Sequence, residues 1–244
     1  MDREFDGLGV VVTGGTGALG SAVVARLLAG GARCVVPVFK ADELRRFPFA
    51  ADPRVRVFEG IDLCDEPAVE RFYEQAAAFA PLWASLHVAG GFAIGPAAGV
   101  SKAEFMLMMQ SNALTCFLCS REAVKRMRLR VGSSPAPAGG RIVNVAARPG
   151  VIPELGAGMV AYTASKAAVA AITQSLAAEV VADGILVNAV VPSIMDTHAN
   201  RKAMPDADHA KWPKVEDVAA TICFLASPRN SVTRGALVPV YGKS

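Results

Sequence analysis

An α/β fold with a parallel, doubly wound sheet follows from three observations. Apolar runs of strand length alternate along the chain with longer amphipathic stretches, the order that produces right-handed strand–helix–strand crossovers. The runs are continuous rather than alternating, as for strands covered on both faces. The 244 residues, 52% hydrophobic and 19% charged, are enough to bury a sizeable core and exclude a disordered chain.

Seven strands are expected, at 8–13, 34–38, 54–58, 85–89, 141–145, 186–190 and 236–240. Amphipathic helices are expected at 21–29, 66–79, 101–130, 160–182 and 215–226. Seven strands leave no room for a second domain, so residues 1–244 read as one domain. The stretch 76–100 carries no Asp, Glu, Lys or Arg, but Pro81, Pro96 and several glycines interrupt it. No continuous helix of about 20 residues fits there, so it reads as a helix end, a buried strand and a loop. Residues 131–140, rich in Gly, Ser, Pro and Ala, read as a surface loop. Residues 193–213 form a long late connection, the kind that serves as a lid or a substrate loop.

Several function classes drop out on composition. The formal net charge of +3 is too small to argue for nucleic acid. The basic cluster Arg121, Lys125, Arg126, Arg128 and Arg130 falls near an expected helix C-terminus, where cations suit the dipole and solvent. The polar start Met1-Asp2-Arg3-Glu4 is not the pattern of a secretory leader, and no stretch reads as a membrane span. Five cysteines, an odd number, favour reduced thiols in the cytoplasm. Cys116 and Cys119 form a lone CxxC in an apolar helix run, without the second pair or the histidine that a metal site needs; they read as core, and no metal is expected.

The first strand runs into Thr13-Gly14-Gly15-Thr16-Gly17-Ala18-Leu19-Gly20 and then a helix. Glycines there permit a tight turn and let backbone N–H groups approach a pyrophosphate at the helix N-terminus. The second strand ends Pro37-Val38-Phe39-Lys40, with no acid at its tip for a ribose 2′-hydroxyl and with Lys40 available for a 2′-phosphate. NADP(H) is therefore favoured as cofactor, with NAD(H) possible. Asp62-Leu63 follows the third strand, where a carboxylate accepts from an adenine amino group. Tyr162 and Lys166, four apart, project from one helix face. A phenol titrates near 10 and a neighbouring ammonium favours its phenolate, which suits proton transfer.

Taken together, TGGTGALG, Asp62-Leu63, Val88-Ala89-Gly90, Asn112, Tyr162-Thr-Ala-Ser-Lys166 and Pro192-Ser-Ile-Met-Asp-Thr197 resemble the short-chain dehydrogenase/reductase family in order and spacing. The resemblance covers essentially the whole chain. It implies a Rossmann-like fold, a nicotinamide cofactor, a small-molecule substrate and a homodimer or homotetramer built on the helices around 101–130 and 160–182. It makes Tyr162 the acid/base, Lys166 the nicotinamide-ribose ligand that depresses the tyrosine pKa, and Asn112 the helix asparagine that holds a relay water. Gly14, Thr16, Gly17, Ala18, Leu19, Gly20, Ala89, Gly90, Gly91, Pro192, Ile194 and Thr197 would then line the cofactor, the last two at its carboxamide.

Departures from the pattern carry information. Where the family has two asparagines before Ala-Gly, this chain has His87 and Val88; His87 reads as a packing and loop hydrogen-bonding residue. Ser193 replaces the family's glycine after Pro192. At the end of the fifth strand Ala147 stands where the family places its serine donor. The dihydropteridine reductase branch also lacks that serine. Gly15 to Ser21, Val88 to Gly91, and Asp196-Thr197 followed by 200–208 and Trp212 resemble that branch. That implies an NAD(P)H-dependent reductase of a quinonoid dihydropteridine or another conjugated, electron-poor substrate. The alternatives are a carbonyl or 3-oxoacyl reductase with another group in place of the serine, and a cofactor-binding sensor or partner subunit with little catalysis.

Overall fold

The computed structural model describes residues 3–130 and 138–244. Seven strands form one sheet: β1 Gly9–Thr13, β2 Arg33–Val38, β3 Val55–Glu59, β4 Leu82–His87, β5 Gly140–Val145, β6 Ile185–Pro192 and β7 Leu237–Val240. Every pairing is parallel and the order is β3-β2-β1-β4-β5-β6-β7. All seven expected strands are present. The fourth begins three residues earlier than expected and ends at His87, so Val88 and Ala89 belong to the loop after it. Residues 131–137 of the expected surface loop lie outside the described residues, and Gly140 already belongs to β5.

Among the described residues eight α-helices surround the sheet: α1 Ala18–Ala29, α2 Glu66–Phe79, α3 Lys102–Met108, α4 Thr115–Arg130, α5 Arg148–Val151, α6 Val160–Glu179, α7 His198–Ala203 and α8 Val215–Ala226. β1, β4, β5 and β6 are buried at every position. One face packs Val10, Val12, Val36 and Leu86 against Val23, Leu27 of α1 and Ile222 of α8. The other packs Val11, Val35, Ile142 and Val187 against Phe72 and Tyr73 of α2 and Met127 of α4. This two-sided burial explains the continuous apolar runs. Pro37 is tolerated in β2 because the ladder with β1 has already ended at Val35.

The expected helix over 101–130 is not one helix. Ser101 starts α3 with a capping box: its Oγ accepts from Glu104 N–H at 3.2 Å, and Glu104 Oε2 accepts from Ser101 N–H at 2.7 Å. A π-helical segment, Met109–Leu114, then separates α3 from α4. Ser111 Oγ donates to Leu107 O and Thr115 Oγ1 to Ser111 O, so hydroxyls answer carbonyls that the regular ladder releases. Such π-turns concentrate at functional sites, and Asn112 sits in the middle of this one.

The basic cluster on α4 is largely paired: Arg121 bridges Glu66 and Glu122, Lys125 pairs with Glu122, and Arg128 with Asp183. Cys116 and Cys119 are buried, and burial pushes the Cys116 thiol up to about 12. Among the described residues no group of His, Cys, Asp and Glu gathers as a metal site, and no helix is long and apolar enough to cross a membrane.

Because β3 precedes β4 in sequence but β1 lies next to β4 in the sheet, the crossovers leave β1 and β4 in opposite directions. Crevices at the carboxyl ends of strands beside such a switch point are where open parallel sheets bind ligands. The glycine loop after β1 and the segment 88–91 after β4 flank that crevice.

Candidate active site

The glycine loop is built by contacts that a side chain would forbid. Gly14 has φ +64°, and a Cβ there would lie 2.7 Å from Ala89 N. This close approach lets Ala89 N–H donate to Thr13 Oγ1 at 3.2 Å. At Gly20 a Cβ would lie 2.0 Å from Gly14 O. Gly17 caps α1 without a side-chain bond, and the first turn carries no acid. The first-turn N–H groups of Ala18, Leu19 and Gly20 therefore have no acceptor within the helix. Above Gly17 the space is open except for Gly14 O, 3.4 Å from an added Cβ. An uncapped helix end under an open glycine cradle fits a pyrophosphate.

Next to the loop the structure places a carboxylate that the sequence pattern does not mark. Residues Ala41–Arg46 form a 3-10 turn that folds Glu43 back on the tip of β2. Glu43 Oε2 accepts from Thr16 Oγ1 at 3.0 Å, and Oε1 accepts from Lys40 N–H at 3.1 Å. The acid that is missing from the strand tip in sequence thus arrives from the following turn, beside Lys40. Asp62 Oδ1 accepts from Cys64 N–H at 2.8 Å, which turns the chain after β3, and Leu63 packs on the α2 face of the sheet.

On the far side of the crevice Asn112, buried, locks the 88–91 segment. Its Oδ1 accepts from Gly91 N–H, and its Nδ2 donates to Gly91 O and to Ser165 Oγ, each at 3.0 Å. Ser165 in turn donates to Tyr162 O at 2.7 Å. Gly90 lies in the gap: a Cβ there would be 2.5 Å from Asn112 Oδ1 and 3.3 Å from Lys166 Nζ. Asn112, Tyr162, Lys166, Gly90 and Gly91 are therefore brought together.

Lys166 is buried and donates to Val145 O at 2.7 Å, tying α6 to the end of β5. Burial lowers its pKa to about 8 and raises that of Tyr162 to about 12. The direction for Tyr162 is opposite to the sequence expectation. Burial of the phenolate is its cause, and the Lys166 ammonium is directed at the Val145 carbonyl.

Ala147, two residues beyond the end of β5, caps α5 and is more than nine-tenths buried. α5 lies tight on α6, where a Cβ at Gly150 would come within 2.7 Å of the Lys166 backbone. The position where the family places a serine hydroxyl thus offers a buried methyl group. Its neighbour Arg148 stacks 4.6 Å over the Tyr241 ring and holds a buried Nε–H without an acceptor among the described residues.

Beneath the site, His87 occupies a buried hydrogen-bond chain. Tyr73 OH and Ser85 Oγ meet at 2.7 Å, Ser85 Oγ and His87 Nε2 at 2.8 Å, and His87 Nδ1 and Asn144 Oδ1 at 2.7 Å. Asn144 Nδ2 donates to Thr173 Oγ1 at 2.8 Å, so its Oδ1 is the acceptor for His87 Nδ1–H. Burial lowers the His87 pKa to about 4, which keeps the ring neutral and leaves it a packing group.

After β6, Pro192 ends the strand, Ser193 Oγ donates to Tyr241 O, and Ile194 is half exposed. Thr197 caps α7 by accepting from Asn200 N–H at 3.1 Å, which leaves its own O–H to donate. The 193–213 connection is ordered by its own contacts. Asp196 pairs with Arg201, Asn200 Nδ2 donates to Met195 O, and Asp196 N–H donates to Pro213 O at 2.9 Å, which closes the loop at its base.

A glycine cradle on an uncapped helix, facing a tyrosine, a buried lysine and a locked asparagine across a switch point, defines a dinucleotide-binding oxidoreductase. The chain belongs to the short-chain dehydrogenase family, whose sequence profile matches residues 9–208. A galactitol 2-dehydrogenase of Rhizobium johnstonii is 34% identical over 97% of this chain and 95% of its own length. A 3-oxoacyl-[acyl-carrier-protein] reductase of Rickettsia bellii is 26% identical over 98% and 97%. Among solved structures, a blue fluorescent protein from a metagenomic library, in complex with NADPH, superposes with a TM-score of 0.83 at 28% identity and covers 98% of both chains. The narrower resemblance to dihydropteridine reductase finds no support in these relatives.

Proposed function

We propose that this chain is an NADPH-preferring reductase that delivers hydride to a conjugated, electron-poor substrate, with Tyr162 as proton donor. The carrying observation is the buried methyl of Ala147 at the position where the family has its second donor. A reduced nicotinamide supplies the hydride. The residues of the chain do the rest. Gly14, Thr16, Gly17, Ala18, Leu19 and Gly20 receive the phosphates, and Asp62, Leu63 and Ala89 border the adenosine. Gly90 and Gly91, fixed by Asn112, leave room for the nicotinamide, and Pro192, Ile194 and Thr197 meet its carboxamide. Lys166 holds the ribose and places positive charge near the phenol, and Asn112 sets the π-turn that a relay water occupies. The loop 193–213 closes over the substrate.

Conjugation spreads the incoming charge, so a quinonoid ring needs only a proton from Tyr162. A simple ketone concentrates that charge on one oxygen and misses the second donor. A quinonoid dihydropteridine satisfies this chemistry, as do quinones. A second reading, a carbonyl or 3-oxoacyl reductase, draws on the Rickettsia bellii relative and on the unpaired Arg148 Nε–H one residue beyond Ala147. A screen of NADPH oxidation with a quinone, a 3-oxoacyl thioester and cyclohexanone separates the two, since faster turnover of the thioester than of the quinone contradicts the first.

Cofactor preference rests on Lys40, opposed by Glu43, and on the NADPH bound by the structural relative. Lys40→Asp moves the NADPH/NADH ratio of kcat/KM toward NADH, and Glu43→Gln moves it toward NADPH, each by about fivefold for such exposed charges. An unchanged ratio in Lys40→Asp shows that Lys40 does not face the ribose. We further propose a homodimer or a tetramer of dimers. Phe105, Leu107 and Phe117 of α3 and α4 and Val160 of α6 are exposed apolar groups on the expected contact helices. Light scattering gives at least twice the monomer mass if this holds, and the monomer mass if it does not.

A further inference from the structure

We infer that Phe92 is the substrate-recognition residue of the site and that the substrate is a flat, conjugated or aromatic carbonyl compound, not a polyol or a sugar. The inference rests on the reductase reading and narrows its substrate class.

Residues 88–100 of the loop from β4 to α3 contain no side chain with a nitrogen or oxygen atom. The facing segment 149–161 contains one, Glu154. The two are joined by Gly95 N–H donating to Gly158 O at 2.7 Å, so they form one continuous rim beside Tyr162. Along this rim large apolar groups stand in solvent: Ile94 on one side, Ile152 and Leu155 on the other. Phe92 reaches from the rim to the reacting phenol. Its ring meets that of Tyr162 edge-to-face, with centroids 4.9 Å apart and planes at 80°, yet 62% of Phe92 is exposed.

An aromatic ring that touches the proton donor and leaves most of its surface open is a platform for another planar group. A planar carbonyl lying on Phe92 extends the apolar rim and keeps its oxygen near the Tyr162 hydroxyl. A polyol in the same place exchanges several hydrogen bonds to water for contacts with methyl and ring carbons, which disfavours it. The rim offers such a molecule almost nothing but backbone groups.

The test uses the full chain with NADPH, 9,10-phenanthrenequinone and L-tagatose as substrates, and Phe92→Ala and Phe92→Tyr as variants. The expected result is a higher kcat/KM for the quinone than for the sugar. Phe92→Ala raises KM for the quinone about tenfold with little change in kcat, Phe92→Tyr restores it, and cofactor affinity is the same in all three proteins. A fall in kcat alone marks Phe92 as a support for Tyr162 and overturns the assignment. So does equal or better turnover of tagatose. Calorimetric titration of phenanthrenequinone into the protein with NADP+ separates the recognition site from the reductase reading. Phe92-dependent binding without turnover upholds the recognition site and sinks the reductase reading. Turnover that does not depend on Phe92 does the reverse. Absence of both binding and turnover of the quinone overturns the inference.

Discussion

Tyr162→Phe lowers kcat by about 10²–10⁴-fold, the range for loss of a general acid, and leaves cofactor affinity as in the parent. The substitution removes one oxygen and nothing else. The ring keeps its place on α6 and its edge-to-face contact with Phe92, and Ser165 still donates to the backbone carbonyl of residue 162. With Ala147 contributing a methyl group, the variant has no hydroxyl at either expected donor position. Single-turnover kinetics with NADPH and a quinone, beside a fluorescence titration of NADPH, measures both quantities. Turnover within about tenfold of the parent would show that the proton comes from elsewhere.

Gly20→Ala damages the cofactor site from the opposite side. The added Cβ would be 2.0 Å from Gly14 O and 2.7 Å from Gly15 Cα, backbone atoms that cannot rotate away. The glycine loop must move relative to the first turn of α1, which misaims the N–H groups of Ala18 and Leu19. Misplacement on the ångström scale costs about 10²-fold, so kcat/KM for NADPH falls by at least that factor. Gly17→Ala is the control for folding, because a Cβ there meets only Gly14 O, at 3.4 Å. It impairs cofactor binding only through the bound phosphates and leaves Tm near the parent's. Parent-like NADPH kinetics in Gly20→Ala would mean that the loop does not hold the cofactor.

The fold was legible in the sequence because strands buried on both faces leave continuous apolar runs, and glycines mark the turn after β1. The Tyr162–Lys166 pair was legible because a spacing of four fixes one helix face. What was hidden lies in contacts between distant segments. The π-turn at Met109–Leu114 depends on hydroxyl-to-carbonyl bonds and on Asn112 reaching Gly91, and residues 101–130 look like one uninterrupted helix in sequence. Glu43 is three residues past Lys40, and only the 3-10 turn brings it back to Thr16. Phe92 reads as one more apolar residue in an apolar loop until its ring is seen against Tyr162. The direction of the Tyr162 shift depends on burial, which spacing does not report.

The most direct test compares a conjugated substrate with a simple ketone in the parent and in Ala147→Ser. With NADPH, the parent is expected to reduce a naphthoquinone with kcat on the order of 10 per second and cyclohexanone about 10²–10³-fold more slowly, the effect of one missing oxyanion donor. Ala147→Ser should raise the cyclohexanone rate and leave the quinone rate nearly unchanged. A parent that already reduces cyclohexanone as fast as the quinone, with no gain from the restored serine, would contradict the account and show that another group has taken the serine's place.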